Sequence, residues 1–147
     1  GLLEIGAIQT TAVIGEVKKL AGGDDEVVIT DAPPGTSCPV IEAVGGSDFV
    51  LLVTEPTPFG LNDLRLAVDM VRALGLRFGV AVNRSDVGDG SVMDYCQSEG
   101  IEVMLEIPND RRVAEKYSDG VMMVEAFDEY SERFRGLYDR IVKAVEK

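Results

Sequence analysis

Short, continuously apolar runs alternate along this chain with longer stretches whose apolar positions recur every three or four residues. Phe49-Val50-Leu51-Leu52-Val53-Thr54, Phe78-Gly79-Val80-Ala81-Val82-Asn83 and Val103-Met104-Leu105-Glu106-Ile107 are runs of the first kind and predict strands. Val27-Val28-Ile29-Thr30, entirely β-branched, predicts another. Between them, Thr10 or Thr11 can cap a helix reaching about Leu20, with Gly22 as its stop. Pro39 suits the first turn of a short helix ending at Val44. Leu61, Leu64, Val68, Val71 and Leu74 keep helical spacing up to Gly75. A further helix opens near Ser91 and stops at Gly100, and Asp110 can cap one running through Tyr117. Phe127, Tyr130, Phe134, Leu137, Ile141 and Val145 form one stripe of a long terminal helix. Strands that are apolar on both faces and alternate with helices imply an α/β fold, a mostly parallel sheet with helices on both faces. Such sheets bind ligands at the carboxyl ends of their strands, so function is expected in the loops after Thr30, Thr54, Asn83 and Ile107.

Bulk properties narrow the partners. At 147 residues the length predicts one domain, and 14 basic against 26 acidic side chains give a net charge of −12. That field repels phosphate backbones and anionic lipid, so neither nucleic acid nor a membrane is expected as partner. There is no histidine, and Cys38 and Cys96 form no Cys-x-x-Cys pair, so this chain alone builds neither a structural zinc site nor an iron–sulfur cluster. Two cysteines in so apolar a chain predict free thiols in a reducing, cytoplasmic compartment. No signal peptide and no apolar run of membrane-spanning length occur. The chain starts at Gly1, within patterned sequence, and is expected to be a piece of something longer.

Three constellations fall at the predicted strand ends. In Asp31-Ala32-Pro33-Pro34-Gly35-Thr36, a carboxylate closing a buried strand suits a magnesium ion held through one of its waters, and Gly35 offers a small backbone amide to a terminal phosphate. The plainer alternative is a turn-capping Asp ahead of a stiffened loop. In Val80-Ala81-Val82-Asn83-Arg84 the Asn amide both donates and accepts, matching the paired edge of a purine; an Asn favoured in a turn is the simpler account of that stretch alone. In Glu106-Ile107-Pro108-Asn109-Asp110-Arg111-Arg112-Val113 a tight loop can present backbone groups to a base, but an ordinary helix cap at Asp110 is the simpler account of that stretch alone.

In this order and spacing, Asp-x-Pro-x-Gly, Thr54-Glu55-Pro56, Val-Asn-Arg and Ile-Pro-x-Asp together resemble the MinD/ParA class of P-loop ATPases. Asp31 to Val40 and Leu52 to Leu61 are similar to a narrower subgroup with an inserted ferredoxin domain, and the resemblance runs from about Thr10 to the terminal helix. It implies that residues 1–147 are the C-terminal portion of a MinD-like nucleotide-binding domain that uses ATP and magnesium. Asp31 would be the acid acting on magnesium through water, Gly35 the switch residue near the γ-phosphate, and Asn83 the adenine reader with Arg84 beside it. Pro108, Asn109 and Asp110 would line the base pocket through backbone groups. The resemblance also implies a homodimer closed by ATP, an iron–sulfur or redox partner protein, and four-iron clusters confined to an insert absent from this chain.

No Gly-x-x-x-x-Gly-Lys-[Ser/Thr] occurs, so the phosphate cradle and the strand that carries it are missing. Hydrolysis is expected of the complete protein and not of this chain alone. The alternative is a stand-alone, catalytically empty α/β module that contacts a partner protein. Receiver and flavodoxin folds share the alternation, but Ile107-Pro108 stands where a receiver has Lys-Pro, and no Ser/Thr/Gly-rich loop follows a first strand. Cys38, just before a helix start, and Cys96 are read as small packed cysteines, with a redox role for Cys38 as the sharper alternative. Glu55 either orients a water or holds a loop, or is a solvated carboxylate. Although MinD proper binds membranes through a C-terminal helix, the terminal helix here mixes Glu132, Arg133, Arg135, Asp139, Arg140 and Lys143 on its polar face and is read as core. Met122 and Met123 are read as an edge segment or core filler.

Overall fold

A computed structural model describes residues 10–21 and 27–146, which belong to two compact units, one within Gly1–Ser47 and one within Asp48–Lys147. The first contains helices α1 (Thr10–Ala21) and α2 (Cys38–Val44). Val40, Ala43 and Val44, at i, i+3 and i+4, are the buried side of α2. Cys38 lies about two positions round the helix from Val40 and is exposed, so it is not the packed cysteine that the sequence suggested. The ammonium of Lys18 on α1 donates to the carbonyls of Glu42, Ala43 and Gly45, placing a cation on the negative end of α2. Gly22, the expected stop of α1, lies outside the described residues.

Residues 27–30 correct the strand expectation. They form no strand, and Val27, Val28 and Ile29 are 51%, 52% and 91% exposed. A β-branched run favours extended backbone, but a strand exists only where a neighbour completes its ladder, and none of the described residues does so here.

The second unit holds β1 (Val50–Thr54), α3 (Pro58–Ala73), β2 (Phe78–Asn83), α4 (Ser91–Ser98), β3 (Val103–Ile107), α5 (Arg111–Ser118), α6 (Met123–Ala126) and α7 (Asp128–Val145). The strands form a parallel sheet in the order β1-β2-β3. Two successive crossovers of the same hand, stepping in the same direction, deliver α3 and α4 to one face. There Leu64, Val68, Val80, Val82, Val92 and Cys96 make a buried cluster, and burial raises the pKa of the Cys96 thiol. The terminal helix covers the other face, packing Phe134, Leu137 and Ile141 against Ala81, Met104 and Leu105. Met104 and Leu105 reach that face together because β3 carries an extra residue between the partners of Val80 and Ala81. Helices thus cover both faces, as the alternating pattern predicts, and the aromatic stripe of α7 is core. Met123 begins a four-residue helix rather than an edge segment, and Met122 is 58% exposed. Among the described residues, no helix is long and apolar enough to cross a membrane.

Candidate functional site

Parallel strands in register bring their carboxyl ends side by side: Thr54 pairs with Val82, and Asn83 with Ile107. Glu55, the first residue beyond β1, reaches across to the end of β2. Asn83 Nδ2 donates to Glu55 Oε1 at 3.3 Å, and Arg84 Nη1 lies 3.7 Å from Glu55 Oε2. The side chains of Arg84 and Glu55 are 57% and 41% exposed, so this ion pair contributes little to stability; its consequence is orientation.

The backbone around these groups is held from several directions. The buried Thr54 hydroxyl donates to the Gly60 carbonyl at 3.0 Å, while Thr57 Oγ1 accepts the Gly60 N–H at 3.0 Å and caps α3. Gly88 fixes the opposite loop. Its φ is +106°, and a β-carbon there would lie 2.0 Å from the Pro56 carbonyl oxygen, so only glycine allows the β2–α4 loop to rest on the β1–α3 loop. Arg84 is the one described non-glycine residue with positive φ, at 51°. Such left-handed backbone in a bulky residue costs about 1 kcal/mol or more and collects at functional sites. It is held by Val87 N–H to the Arg84 carbonyl and by Ser85 N–H to the Ile107 carbonyl, both 2.9 Å. Thr54, Glu55, Thr57, Asp63 and Asn83 wall the resulting open cleft of about 390 Å³.

On the β3 side, the Asn109 N–H donates to Asp86 Oδ1 at 2.5 Å, joining the loops after β2 and β3. Asp110 caps α5 by accepting the Arg112 N–H at 2.9 Å. Its carboxylate also receives the Arg112 guanidinium at 2.6 Å and the Tyr130 hydroxyl at 3.1 Å. Arg112 in turn pairs with Glu129 at 2.7 Å and lies 4.9 Å from the Phe127 ring centroid. The guanidinium hydrogen bond above all lowers the Asp110 pKa from 3.8 to about 2. The same carboxylate raises the pKa of Arg112, while burial, then Asp110, raises that of Tyr130.

The second unit therefore gathers Glu55, Asn83 and Arg84 at one point and links Asn109 to the same group of loops through Asp86. The Asn109 N–H, the Ile107 carbonyl and, through Val113, the Asp110 carbonyl are engaged, whereas the carbonyls of Pro108 and Asn109 and the Asp110 N–H have no hydrogen-bond partner among the described residues and are left for a base. Asp31 and Gly35 belong to the other unit, where both are exposed and Gly35 has a φ of +94°. Among the described residues no group of three or more Cys, Asp or Glu side chains could hold a metal ion. Sequence reasoning missed Asp86, Arg112 and Tyr130 and left Glu55 undecided. For Glu55 the signal was available: residues just past neighbouring parallel strands are neighbours themselves.

No family model matches the chain. An uncharacterised protein of Methanocaldococcus jannaschii is 32% identical over 133 residues, covering 90% of this chain and 45% of that protein. An iron-sulfur cluster carrier protein of Pyrococcus abyssi is 27% identical over 137 residues, 81% of this chain and 45% of that protein. The chain spans about half the length of the curated relatives it matches. Among solved structures, the cell division ATPase MinD of Pyrococcus furiosus superposes with a TM-score of 0.68 at 20% identity, over 92% of this chain and 58% of that one. MinD of Aquifex aeolicus does so with a TM-score of 0.64 at 18% identity, over 95% of this chain and 60% of that one. The fold is that of the MinD ATPases, in agreement with the resemblance carried by the motifs.

Proposed function

We propose, from the MinD-type fold as premise, that this chain is the C-terminal part of a cytoplasmic, ATP-binding P-loop ATPase associated with iron–sulfur chemistry. The observation that carries the reading is Asn83, set on a braced turn at the carboxyl end of the central strand and facing an open cleft. Its amide supplies one donor and one acceptor, the complement of adenine. The free carbonyls of Pro108 and Asn109 suit an exocyclic amine, and Arg84 stands beside Asn83 with its charge directed to Glu55. These groups fit the base end of ATP.

The phosphate end needs more than this chain contains. Gly35, at a φ that favours glycine, offers a backbone amide without a side chain. Asp31, a single carboxylate, would act on magnesium through a bound water, the ion being held mainly by phosphate oxygens and other waters. Bound ATP and magnesium would supply the scissile phosphoanhydride and the charge that polarises it. The Gly-rich loop and its lysine, which these 147 residues lack, would come from a further segment of the complete protein. A homodimer closed by ATP and an iron–sulfur partner follow from the same reading, the latter supported by the carrier proteins among the relatives.

The test is magnesium-dependent ATP hydrolysis by the full-length protein. Asp31→Asn is expected to lower turnover about a hundredfold, as loss of one electrostatic contact to a reacting centre commonly does. Circular dichroism should be unchanged. Unaltered turnover removes Asp31 from the reaction.

A further inference from the structure

We infer that Glu55 is a positioning residue that makes the site selective for 6-amino over 6-oxo purines, by fixing which way the Asn83 amide faces. The inference rests on the reading of Asn83 as the base contact. An Asn side chain can be rotated by 180° at little cost, exchanging its oxygen and its nitrogen. The two orientations recognise different bases. With the oxygen toward position 6 of the purine, the amide accepts from the exocyclic amine of adenine and donates to the adjacent ring nitrogen. With the nitrogen toward position 6, it donates to the carbonyl oxygen of hypoxanthine or guanine. An amide free to turn would satisfy either base.

Glu55 removes that freedom. An ionised carboxylate only accepts, so the Asn83 group at 3.3 Å from Glu55 Oε1 has to be the nitrogen. One of its two protons is committed to Glu55; the other and the oxygen remain for the base. Glu55 is itself held: Arg84 Nη1 faces its second oxygen at 3.7 Å, and its backbone precedes Pro56, against which Gly88 rests. The carboxylate and the amide therefore keep their mutual geometry in the absence of any ligand.

The experiment is competition of inosine triphosphate against ATP for the full-length protein, compared among the unsubstituted protein, Glu55→Gln and Asn83→Ala. Gln keeps the size of Glu55 but can donate or accept, so either Asn83 orientation finds a partner. Loss of one oriented hydrogen bond predicts that Glu55→Gln lowers the preference for ATP by about three- to tenfold, chiefly by tightening binding of the 6-oxo competitor. Asn83→Ala should lower it too, with both nucleotides weakened. A fall in preference with Asn83→Ala and none with Glu55→Gln overturns the role of Glu55 and leaves the base reading intact. No change with either, or no nucleotide binding at all, overturns both. Equal weakening of both nucleotides by Glu55→Gln makes Glu55 merely structural and overturns the inference.

Discussion

At the β3 edge of the sheet, arginines of α7 occupy the outward carbonyls; at the β1 edge, no described residue of the same unit does. Arg140 donates to the carbonyls of Met104 at 2.6 Å and Val103 at 3.1 Å while pairing with Glu102 at 2.7 Å, and Arg133 donates to the Glu106 carbonyl at 2.9 Å. Such cationic cover is a common way to keep a terminal strand from recruiting another. Among the described residues of its unit β1 has no such cover, and it has the sequence of an interior strand: apolar on both faces, yet with Val53 70% exposed. Its register partner on β2, Ala81, is 4% exposed. One edge is covered by arginines of its own unit, and the other, among the described residues of that unit, is not. The β-branched run 27–30 of the first unit likewise pairs with none of the described residues.

The largest expected effect breaks this contrast directly. If a strand seats on β1 in the full-length protein, Val53 becomes buried, and Val53→Asp then places an unpaired carboxylate in an apolar layer. That should cost about 3–5 kcal/mol, read as a shift of the urea midpoint. If the edge stays open, the substitution falls within about 0.5 kcal/mol, as exposed replacements usually do. The small outcome would remove the case for a missing neighbour.

Arg140→Ala probes the finished edge and should have an intermediate effect. A guanidinium bonded to two carbonyls and a carboxylate contributes about 1–2 kcal/mol once its 43% exposure is allowed for. Bared of it, β3 exposes the carbonyls of Val103 and Met104, so sedimentation should also detect more self-association than in the unsubstituted protein. A variant that is equally stable and equally monodisperse would mean that α7 covers β3 by packing alone.

Much of this contrast was legible in the sequence, and the remainder for definite reasons was not. The runs that became β1, β2 and β3 stood out because parallel strands buried on two faces cannot be polar on either. The stripe from Phe127 to Val145 and the cap at Asp110 were likewise readable, since both depend on spacing within a few residues. Residues 27–30 misled because apolar β-branched character reports a capacity to pair and not the presence of a partner. The contacts of the α7 arginines were not legible: a helical period puts Arg133 and Arg140 on the polar face without telling whether a basic residue there meets water or a neighbouring strand's carbonyls. The Glu55–Asn83 contact spans 28 positions and required the strand order first. Cys38 was judged by residue type when the narrow apolar side of α2 decided its exposure.

The smallest expected effect concerns how each edge ends at the site. Beyond β1 the ionic contact among the described residues is the exposed Glu55–Arg84 pair, whereas beyond β3 the Asp110 carboxylate is 14% exposed and held by Arg112 and Tyr130. Its pKa is about 2 in the folded protein against an ordinary 3.8, so in that interval the unfolded chain binds more protons. The stabilisation is fully present above about pH 4 and is lost as the pH falls through about 2. Asp110→Asn keeps a helix-capping side chain but cannot titrate. The variant should be less stable than the unsubstituted protein at pH 5, and the difference between their urea midpoints should shrink steadily from pH 4 to pH 2. A difference that stays constant over that interval would mean that the cap at α5, and not the charge held by Arg112, is what Asp110 contributes, and that the β3 end of the site is no better clamped than the β1 end.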